Sequence, residues 1–308
     1  MRLFRSHLLL VALLAGFAGP VLASASTSRP RQQQNCNGSP DLCSRRYSDV
    51  TFVGSHDSAF VGVLPTDNQF VSVARQLGLG VRFLQAQTHD EGGTIELCHT
   101  SCLEKDAGTL ADYLAPVKTF LDANPDEVVS LLLTNEDTIP VAQFGSVFQA
   151  AGLDTYAYTP ANTLALADWP TLGDLIASGK RLIVFMDYHA NTVSVPYILD
   201  EFAYYYETPY DTTDPDFPQC TVDRPPGASA DGRMGIVNHF LDYEIDLFGQ
   251  KILVPDVLRA NETNAASSIT AQTNLCLAAY NRQPNVVLLD FISVGEGITA
   301  QSQLNNLS

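Results

Sequence analysis

Two histidines in this sequence each follow a short apolar run that has the composition of a β-strand. His56 comes after residues 51–53 and Gly54, with Asp57 directly behind it, and His99 ends the run at residues 94–98. An imidazole exchanges a proton near neutral pH, so two of them at strand ends are typical of a general acid and a general base. A single histidine in such a position is more often a core residue whose ring nitrogens are hydrogen-bonded. The two histidines together indicate a catalytic site.

The elements that would position these histidines are short apolar runs separated by amphipathic segments. Alternating strands and helices favour a parallel sheet, and eight strands favour an α/β fold closed as a distorted (β/α)8 TIM barrel. An open doubly wound sheet is the alternative, but no glycine-rich phosphate loop follows the first strand. The third strand follows the second too closely for a helix between them, so we expect an irregular barrel there. The predicted strands are residues 49–54, 81–86, 94–98, 127–133, 181–186, 202–206, 235–240 and 285–291, and the predicted helices are residues 110–123, 142–151, 171–178 and 264–281.

In a barrel of this kind, functional side chains lie at the carboxyl ends of the strands. Two histidines and two carboxylates at those ends suit cleavage of a phosphodiester. One imidazole would remove the proton from the attacking hydroxyl, and the other would protonate the leaving alkoxide. The candidate catalytic residues are His56, Asp57, His99 and Asp290, and the candidate substrate-binding residues are Gln85, Gln87, Asn135, Asp187, His189 and Tyr206.

The motifs around these positions resemble those of the phosphatidylinositol-specific phospholipase C X-domain family, and most of all its secreted fungal and bacterial phospholipase-C-like phosphodiesterases. The likeness extends from about Cys43 to Gly295. The segments that carry it are Gly-Ser-His-Asp-Ser at 54–58, Gly-Val-Arg-Phe-Leu at 80–84, Leu-Cys-His at 97–99, Pro-Asp-Glu-Val-Val at 125–129, Arg-Leu-Ile-Val-Phe at 181–185 and Pro-Asn-Val-Val-Leu-Leu-Asp at 284–290.

The resemblance implies a role for each candidate catalytic residue. His56 matches the general base that deprotonates the inositol 2-hydroxyl in the family, and His99 matches the general acid for the glycerol leaving group. Asp57 would then support His99, and Asp290 would support His56. The family fold is a distorted (β/α)8 barrel, which agrees with the strand count.

The sequence departs from the family pattern directly after the segment at residues 80–84. Bacterial members place a phosphate-binding arginine where Gln87 stands, and calcium-dependent animal members place carboxylates at Gln85 and Gln87. An amide donates a hydrogen bond but supplies no charge, and charge-assisted bonds are about twice as strong. We therefore expect no metal and no other cofactor. Arg82 is not a substitute, because it alternates to the other side of the strand.

The first residues have the pattern of a secretory signal peptide. Arg2 and Arg5 precede an apolar run at residues 8–14, and small residues follow at 21–23. We predict a signal peptide at residues 1–23, a polar linker at 24–35 and a single barrel domain at 36–308, in a secreted, extracellular protein. No later stretch is apolar enough to span a bilayer.

Six cysteines follow this segment, and an even count in a secreted chain predicts disulfides. Proximity along the chain favours pairing Cys36 with Cys43 and Cys98 with Cys102, which leaves Cys220 for Cys276 among fifteen formal connectivities. The spacings argue against a zinc site. Cys220 lies in a segment at residues 208–232 that is rich in proline, aspartate and glycine, which predicts a surface excursion. N-glycosylation sequons begin at Asn37, Asn261 and Asn306, and indicate a glycoprotein.

The net charge limits the classes of partner that the protein is expected to bind. It is −17 for the whole chain, and removing Arg2 and Arg5 with the signal peptide makes it −19. An acidic surface without a lysine or arginine cluster argues against nucleic acid and against a strongly anionic membrane. We predict a monomer that binds a phospholipid headgroup or another phosphodiester and makes at most peripheral contact with a membrane.

These observations predict a secreted, metal-independent phosphodiesterase of the phospholipase C type that acts on an inositol phospholipid or a related diester. Two alternatives stay open. One is a phosphodiesterase for a glycerophosphodiester or a sphingolipid-like diester. The other is a weak or inactive barrel that binds a lipid headgroup or a glycan, which the neutral Gln85 and Gln87 favour.

Overall fold

A computed structural model describes residues 35–247 and 249–307. The predicted signal peptide and all but the last residue of the predicted linker lie outside the described residues. The strands of the described part are β1 (Phe52–Ser55), β2 (Phe83–Ala86), β3 (His89–Glu91), β4 (Thr94–Cys98), β5 (Asp106–Thr109), β6 (Val129–Thr134), β7 (Leu182–Asp187), β8 (Ile198–Asp200), β9 (Tyr205–Glu207), β10 (Met234–Asn238), β11 (Asp242–Leu247), β12 (Gln250–Pro255) and β13 (Val286–Leu289).

Eight of these strands form one curled sheet in the order β8-β7-β6-β2-β1-β13-β10-β9, and every pairing within it is parallel. The predicted distorted (β/α)8 barrel is confirmed. Its irregularity lies between β8 and β9, which stand at the two ends of this order. Only the four-residue helix Glu201–Tyr204 separates these two strands along the chain.

Two strand predictions were wrong in detail, and several short strands were not predicted. Residues 94–98 do form a strand, β4, but it belongs to a separate antiparallel sheet β3-β4-β5 and not to the barrel. Residues 201–204 are helical, so the sixth predicted strand begins only at Tyr205. The strands β3, β5 and β8 and the hairpin β11–β12 were not predicted. Pairing with distant strands decides whether these segments form strands, because so few residues carry too little periodicity to predict it.

The helices lie mostly where the sequence periodicity predicts them. The helices of the described part are α1 (Val73–Leu79), α2 (Leu110–Ala123), α3 (Val141–Ala150), α4 (Leu172–Ala177), α5 (Glu201–Tyr204), α6 (Ala260–Thr263), α7 (Ala266–Tyr280) and α8 (Gly297–Leu304). All four predicted helices are present among them, within two residues at each end, as α2, α3, α4 and α7. None of these helices has the length and apolar character that crossing a bilayer requires.

Alternation along the strands divides the core into two layers. On β1, Val53 packs outward with the helices, whereas Phe52 packs inside the barrel with Phe83, Phe185 and Leu288. Gly54 also faces the interior, where a Cβ would lie 2.8 Å from Leu288 Cδ2. The same alternation continues past the carboxyl ends of the strands and carries polar side chains into the mouth of the barrel.

Three disulfides join Cys36 to Cys43, Cys98 to Cys102 and Cys220 to Cys276, so the predicted pairing is confirmed. The first ties the start of the described chain to the 3-10 turn Pro40–Leu42. The second closes the loop that follows His99. The third anchors the 208–232 excursion to helix α7, and thereby fixes an irregular segment against the barrel.

Candidate active site

His56 lies directly after β1, at the mouth of the barrel. Its backbone N–H donates to Leu289 O at 3.0 Å, which fixes the residue against β13. Its Nδ1 lies 2.9 Å from Asp290 Oδ1, which also accepts from Asn68 Nδ2 at 3.1 Å. The phenyl ring of Phe240 stacks on the imidazole with centroids 3.7 Å apart and planes 5° apart. The imidazole is thus oriented at one edge by a carboxylate and across one face by an aromatic ring.

Asp57 joins the two histidines. Its Oδ2 lies 3.6 Å from His56 Nε2 and 3.5 Å from His99 Nε2. The same oxygen accepts a hydrogen bond of 2.9 Å from Gln87 Nε2, and the Asp57 backbone N–H donates to Gln85 Oε1 at 2.7 Å. Asp57 is fully buried and its φ is 42°, in the left-handed region that a side chain with a Cβ seldom adopts. Such strain is concentrated at functional sites.

His99 reaches this carboxylate from outside the barrel. It follows β4, and its backbone N–H donates to Lys105 O at 3.0 Å. The next residue, Thr100, donates its backbone N–H to Gln87 Oε1 at 2.9 Å, so one amide connects the His99 loop with Asp57. Lys105 Nζ forms a 2.6 Å ion pair with the buried Asp67, which ties this loop to the segment after β1.

The electrostatics of the site favour a protonated His56. Burial alone would lower its pKa, because an imidazolium loses hydration. The negative charges of Asp57 and Asp290, together with the Asp290 hydrogen bond, outweigh burial and raise the pKa of His56 to about 9. Burial raises the pKa of Asp57, against the opposing charges of both histidines. His56 is therefore an imidazolium at neutral pH in the free protein and gains base character as the pH approaches 9.

A cavity of about 220 Å³ opens beside His56 at the mouth of the barrel. Most of its lining consists of residues that face inward at or just past the ends of the barrel strands, as alternation requires. The lining residues are His56, Gln85, Gln87, Thr100, Leu132, Thr134, Glu136, Asp187, Glu207, Tyr210, Arg224, Asn238, Phe240 and Leu288.

Arg224 is the one lysine or arginine in this lining, and no sequence pattern predicted it there. It belongs to the 208–232 excursion, and an antiparallel bridge joins its backbone to Glu207 on β9. Its Nη2 lies 2.6 Å from Glu207 Oε2, and its Nη1 lies 3.7 Å from Asp187 Oδ2. A proline- and aspartate-rich segment without periodicity gives no signal for the direction of a side chain. Phe240, by contrast, lies two residues after the inward-facing Asn238 and could have been found by alternation.

The predicted substrate-binding residues separate into two groups. Gln85, Gln87 and Asp187 line the cavity. Asn135 does not, because its side chain accepts from Ile139 N at 2.8 Å and donates to Ile139 O at 3.0 Å, which shapes its own loop.

Tyr206 and His189 also lie outside the cavity lining, and their placement corrects the prediction. Tyr206 points out of the barrel onto Tyr280 of α7, with ring centroids 5.2 Å apart, because its neighbour Glu207 holds the inward position. His189 is exposed in the turn after β7 and has a positive φ of 56°.

Gln85 and Gln87 stand where calcium-dependent relatives would place carboxylates, and both side chains are engaged with Asp57. Within residues 35–247 and 249–307, no group of three or more His, Cys, Asp or Glu side chains is arranged to hold a metal ion. The donor set at these two positions therefore does not fit a calcium ion.

Comparisons with known proteins identify the family of the chain. The family model described as PI-PLC X matches residues 42–305. The PI-PLC X domain-containing protein 1 of Arthroderma benhamiae is 52% identical over 277 residues, which cover 88% of this chain and 90% of that protein. A second protein of the same fungus, named as an uncharacterized secreted protein, is 46% identical over 301 residues, which cover 92% of this chain and 68% of that protein.

Two solved structures share the fold at low sequence identity. A phosphatidylinositol-specific phospholipase C from Staphylococcus aureus superposes with a TM-score of 0.55 at 14% identity, over 86% of this chain and 94% of that one. The corresponding enzyme from Listeria monocytogenes gives a TM-score of 0.53 at 16% identity, over 90% and 98%. The family match spans most of the sequence, and the chain belongs to the PI-PLC X-domain family.

Proposed function

We propose that this protein is a metal-independent phosphodiesterase of the phospholipase C type that cleaves an inositol phospholipid or a related diester. The observation that carries the proposal is the contact of both imidazoles with one buried carboxylate oxygen, Asp57 Oδ2, at 3.5 and 3.6 Å. Asp290 on the far nitrogen of His56 completes the arrangement. Two imidazoles held this closely can act on the two ends of one transferred phosphoryl group.

The reaction follows from the positions of the two rings. His56 in its neutral form takes the proton of a headgroup hydroxyl adjacent to the phosphate, and that oxygen bonds to phosphorus. The bond from phosphorus to the leaving oxygen breaks, and His99 in its charged form donates a proton to the leaving alkoxide. The products are a cyclic phosphodiester of the headgroup and a free alcohol. Asp290 holds the proton on Nδ1 of His56 and leaves Nε2 to act as the base.

The experiment measures turnover of a soluble inositol phosphodiester by the purified mature protein. The assay compares wild type, His56→Ala and His99→Ala, each with and without a chelator. Turnover that survives the chelator and falls by about a hundredfold or more in each variant supports the proposal. Equal activity of wild type and His56→Ala would reject the two-histidine mechanism. Binding of the diester by a folded protein without turnover would favour the alternative of a headgroup-binding barrel.

We further propose that the protein is secreted and meets its substrate at a lipid surface that is mainly zwitterionic. The three disulfides and the name of the secreted Arthroderma relative support export. Exposed apolar side chains follow β1 and the β11–β12 hairpin, with Val63 at 85%, Leu64 at 61% and Leu258 at 92% exposure. The net charge of −17 disfavours anionic lipid. Leu64→Ser with Leu258→Ser should reduce turnover of an inositol phospholipid diluted into zwitterionic vesicles and leave turnover of a soluble diester unchanged. Equal loss on both would reject the surface role.

A further inference from the structure

The ring of His99 is held differently from the ring of His56. His56 Nδ1 lies 2.9 Å from the carboxylate of Asp290, which orients the imidazole. Among the residues that the structure describes, His99 Nδ1 is buried and makes no hydrogen bond. The other nitrogen of His99 lies 3.5 Å from Asp57 Oδ2, and its ring meets the ring of Phe60 edge-on, with centroids 5.1 Å apart. The position of this imidazole therefore depends on the loop that carries it.

The loop between β4 and β5 carries His99 at its start and Lys105 at its end. Leu103 within it is fully exposed, and the Cys98–Cys102 disulfide closes only its first part. Lys105 closes the base of the loop, because Lys105 O accepts the backbone N–H of His99 at 3.0 Å. A displacement of Lys105 would therefore displace His99 as well.

The side chain of Lys105 joins this loop to the segment that follows β1. Its Nζ lies 2.6 Å from Asp67 Oδ1 and donates to Val61 O at 3.4 Å. Asp67 is buried, and its other carboxylate oxygen accepts the backbone N–H of Leu64 at 2.8 Å. A buried carboxylate is strongly destabilising when it has no cation beside it. Asp67 therefore holds the ammonium of Lys105 in a defined place.

The segment that holds Lys105 also supports His56. Asn68 follows Asp67 directly along the chain, and Asn68 Nδ2 donates to Asp290 Oδ1 at 3.1 Å. That carboxylate is the one that orients the imidazole of His56. The ion pair between Lys105 and Asp67 therefore connects the loop of the proposed acid with the side chains that position the proposed base.

Lys105 does not contact the substrate in this arrangement. It lies outside the lining of the cavity beside His56. Asp67 neutralises its charge, so Lys105 does not replace the phosphate-binding cation that is missing at Gln87. Its contribution to the reaction would therefore be the position of His99.

We propose that Lys105 is a positioning residue for the proposed acid, His99. Its ion pair with Asp67 holds the loop so that the imidazole stays against Phe60 and faces Asp57. The proposal rests on the proposed function and deepens it, because it names a residue on which proton donation to the leaving alkoxide depends. An alkoxide needs this proton, whereas a nitrophenolate is stable enough to leave with little protonation. Displacement of His99 should therefore slow the reaction of an alkyl ester and spare that of a nitrophenyl ester.

The first measurement compares two soluble esters of myo-inositol 1-phosphate, one with a butyl and one with a 4-nitrophenyl leaving group. Lys105→Met removes the ammonium and keeps an unbranched side chain. It should lower kcat/KM for the butyl ester by about tenfold to a hundredfold and change kcat/KM for the nitrophenyl ester by less than about threefold. His99→Ala should show the same selectivity more strongly, whereas His56→Ala should lose both reactions.

Lys118→Met is the matched control, because it removes a 2.7 Å ion pair with Asp122 on the surface of α2. This variant should turn over both esters as wild type does. If Lys105 only stabilised the fold, Lys105→Met would lose both reactions to the same extent, and that result would overturn the proposal. Wild-type turnover of the butyl ester by Lys105→Met would overturn it as well.

The second measurement reports the position of His99 without any turnover. In wild type, the ring protons of His99 and Phe60 should give a nuclear Overhauser cross-peak, because the ring centroids are 5.1 Å apart. Lys105→Met should abolish this cross-peak, and Lys118→Met should keep it. An unchanged cross-peak in Lys105→Met, or no cross-peak in wild type, would refute the positioning role.

The two measurements separate this proposal from the proposed function. If wild type turns over neither ester, the phosphodiesterase is rejected, and the cross-peak alone decides whether Lys105 positions His99. If Lys105→Met does not fold because Asp67 is left unpaired, the double variant Lys105→Met with Asp67→Asn removes that buried charge. The double variant should show the same loss of the cross-peak and the same selectivity between the esters. A wild-type result in either measurement would overturn the proposal.

Discussion

Replacement of Asp290 by asparagine tests how this site sets the proton affinity of His56. The carboxylate lies 2.9 Å from His56 Nδ1, and with Asp57 it raises the pKa of His56 from 6.5 to about 9. That shift corresponds to roughly 3 kcal/mol of preference for the imidazolium. Asparagine keeps an oxygen that accepts the Nδ1 proton but removes one of the three negative charges, those of Asp57, Asp290 and Asp242, that raise this pKa. Removal of a neighbouring carboxylate lowers such a pKa by about 1–2 units.

These pKa values set the direction in which Asp290→Asn shifts the pH dependence. In wild type, neutral His56 makes up about 1% of the free protein at pH 7, so the fraction of His56 that can act as the proposed base should rise with pH up to about 9. In Asp290→Asn the rise should end about 1–2 units lower. The protonated His56 also stabilises the fold below its unfolded pKa of 6.5, and this contribution is lost as pH rises through about 9. Asp290→Asn should therefore be less stable than wild type at acidic and neutral pH, and the difference should shrink above pH 9.

The assay is the pH profile of kcat/KM on a soluble inositol diester between about pH 5 and 10, with an NMR titration of the His56 ring protons. His56→Ala identifies the resonance by its loss. An unchanged pKa in Asp290→Asn, or a higher one, would refute the assignment of the shift to this carboxylate.

Three further predictions concern the groups around the two histidines. Phe240→Leu removes the stacked ring and the cation–π attraction, and should lower the His56 pKa in the pH profile by about one unit. Gln87→Ala removes the side-chain amide that donates a 2.9 Å hydrogen bond to Asp57, and should reduce kcat/KM by about tenfold. A reduction below twofold would show that this hydrogen bond does not support the proposed activity. Replacement of Cys220 and Cys276 by serine opens a loop with a sequence separation of 56, and should lower the free energy of unfolding in urea by about 4 kcal/mol.

Alternation along strands explains most of what the sequence could predict about this site. His56, Gln85, Gln87 and Asp187 all occupy inward positions that a period of two assigns once the strand is located. The error at Tyr206 came from the same rule, since alternation names two faces but not which one is inside.

The features of the site that the sequence did not predict depend on contacts between distant segments. Arg224 lies in a segment whose course is set by a disulfide and by its bridge to β9, neither of which has a periodic signature. The placement of His99 on a separate antiparallel sheet depends on the pairing of β4 with β3 and β5. Local composition gives β-propensity for such a strand, but it does not give the partner strand.

The small sheet that carries His99 gives the molecule two regions of unequal resistance to denaturation. His56 sits on the central strand of an eight-stranded parallel sheet, whereas β3, β4 and β5 are short and leave exposed residues such as Asp90, Thr94 and Asp106 on their surface. Short, exposed elements open at lower free energy than core strands. Mild heating or low denaturant should therefore separate His99, the proposed acid, from His56, the proposed base, while the barrel stays folded, and the proposed activity should disappear before the circular dichroism of the barrel changes.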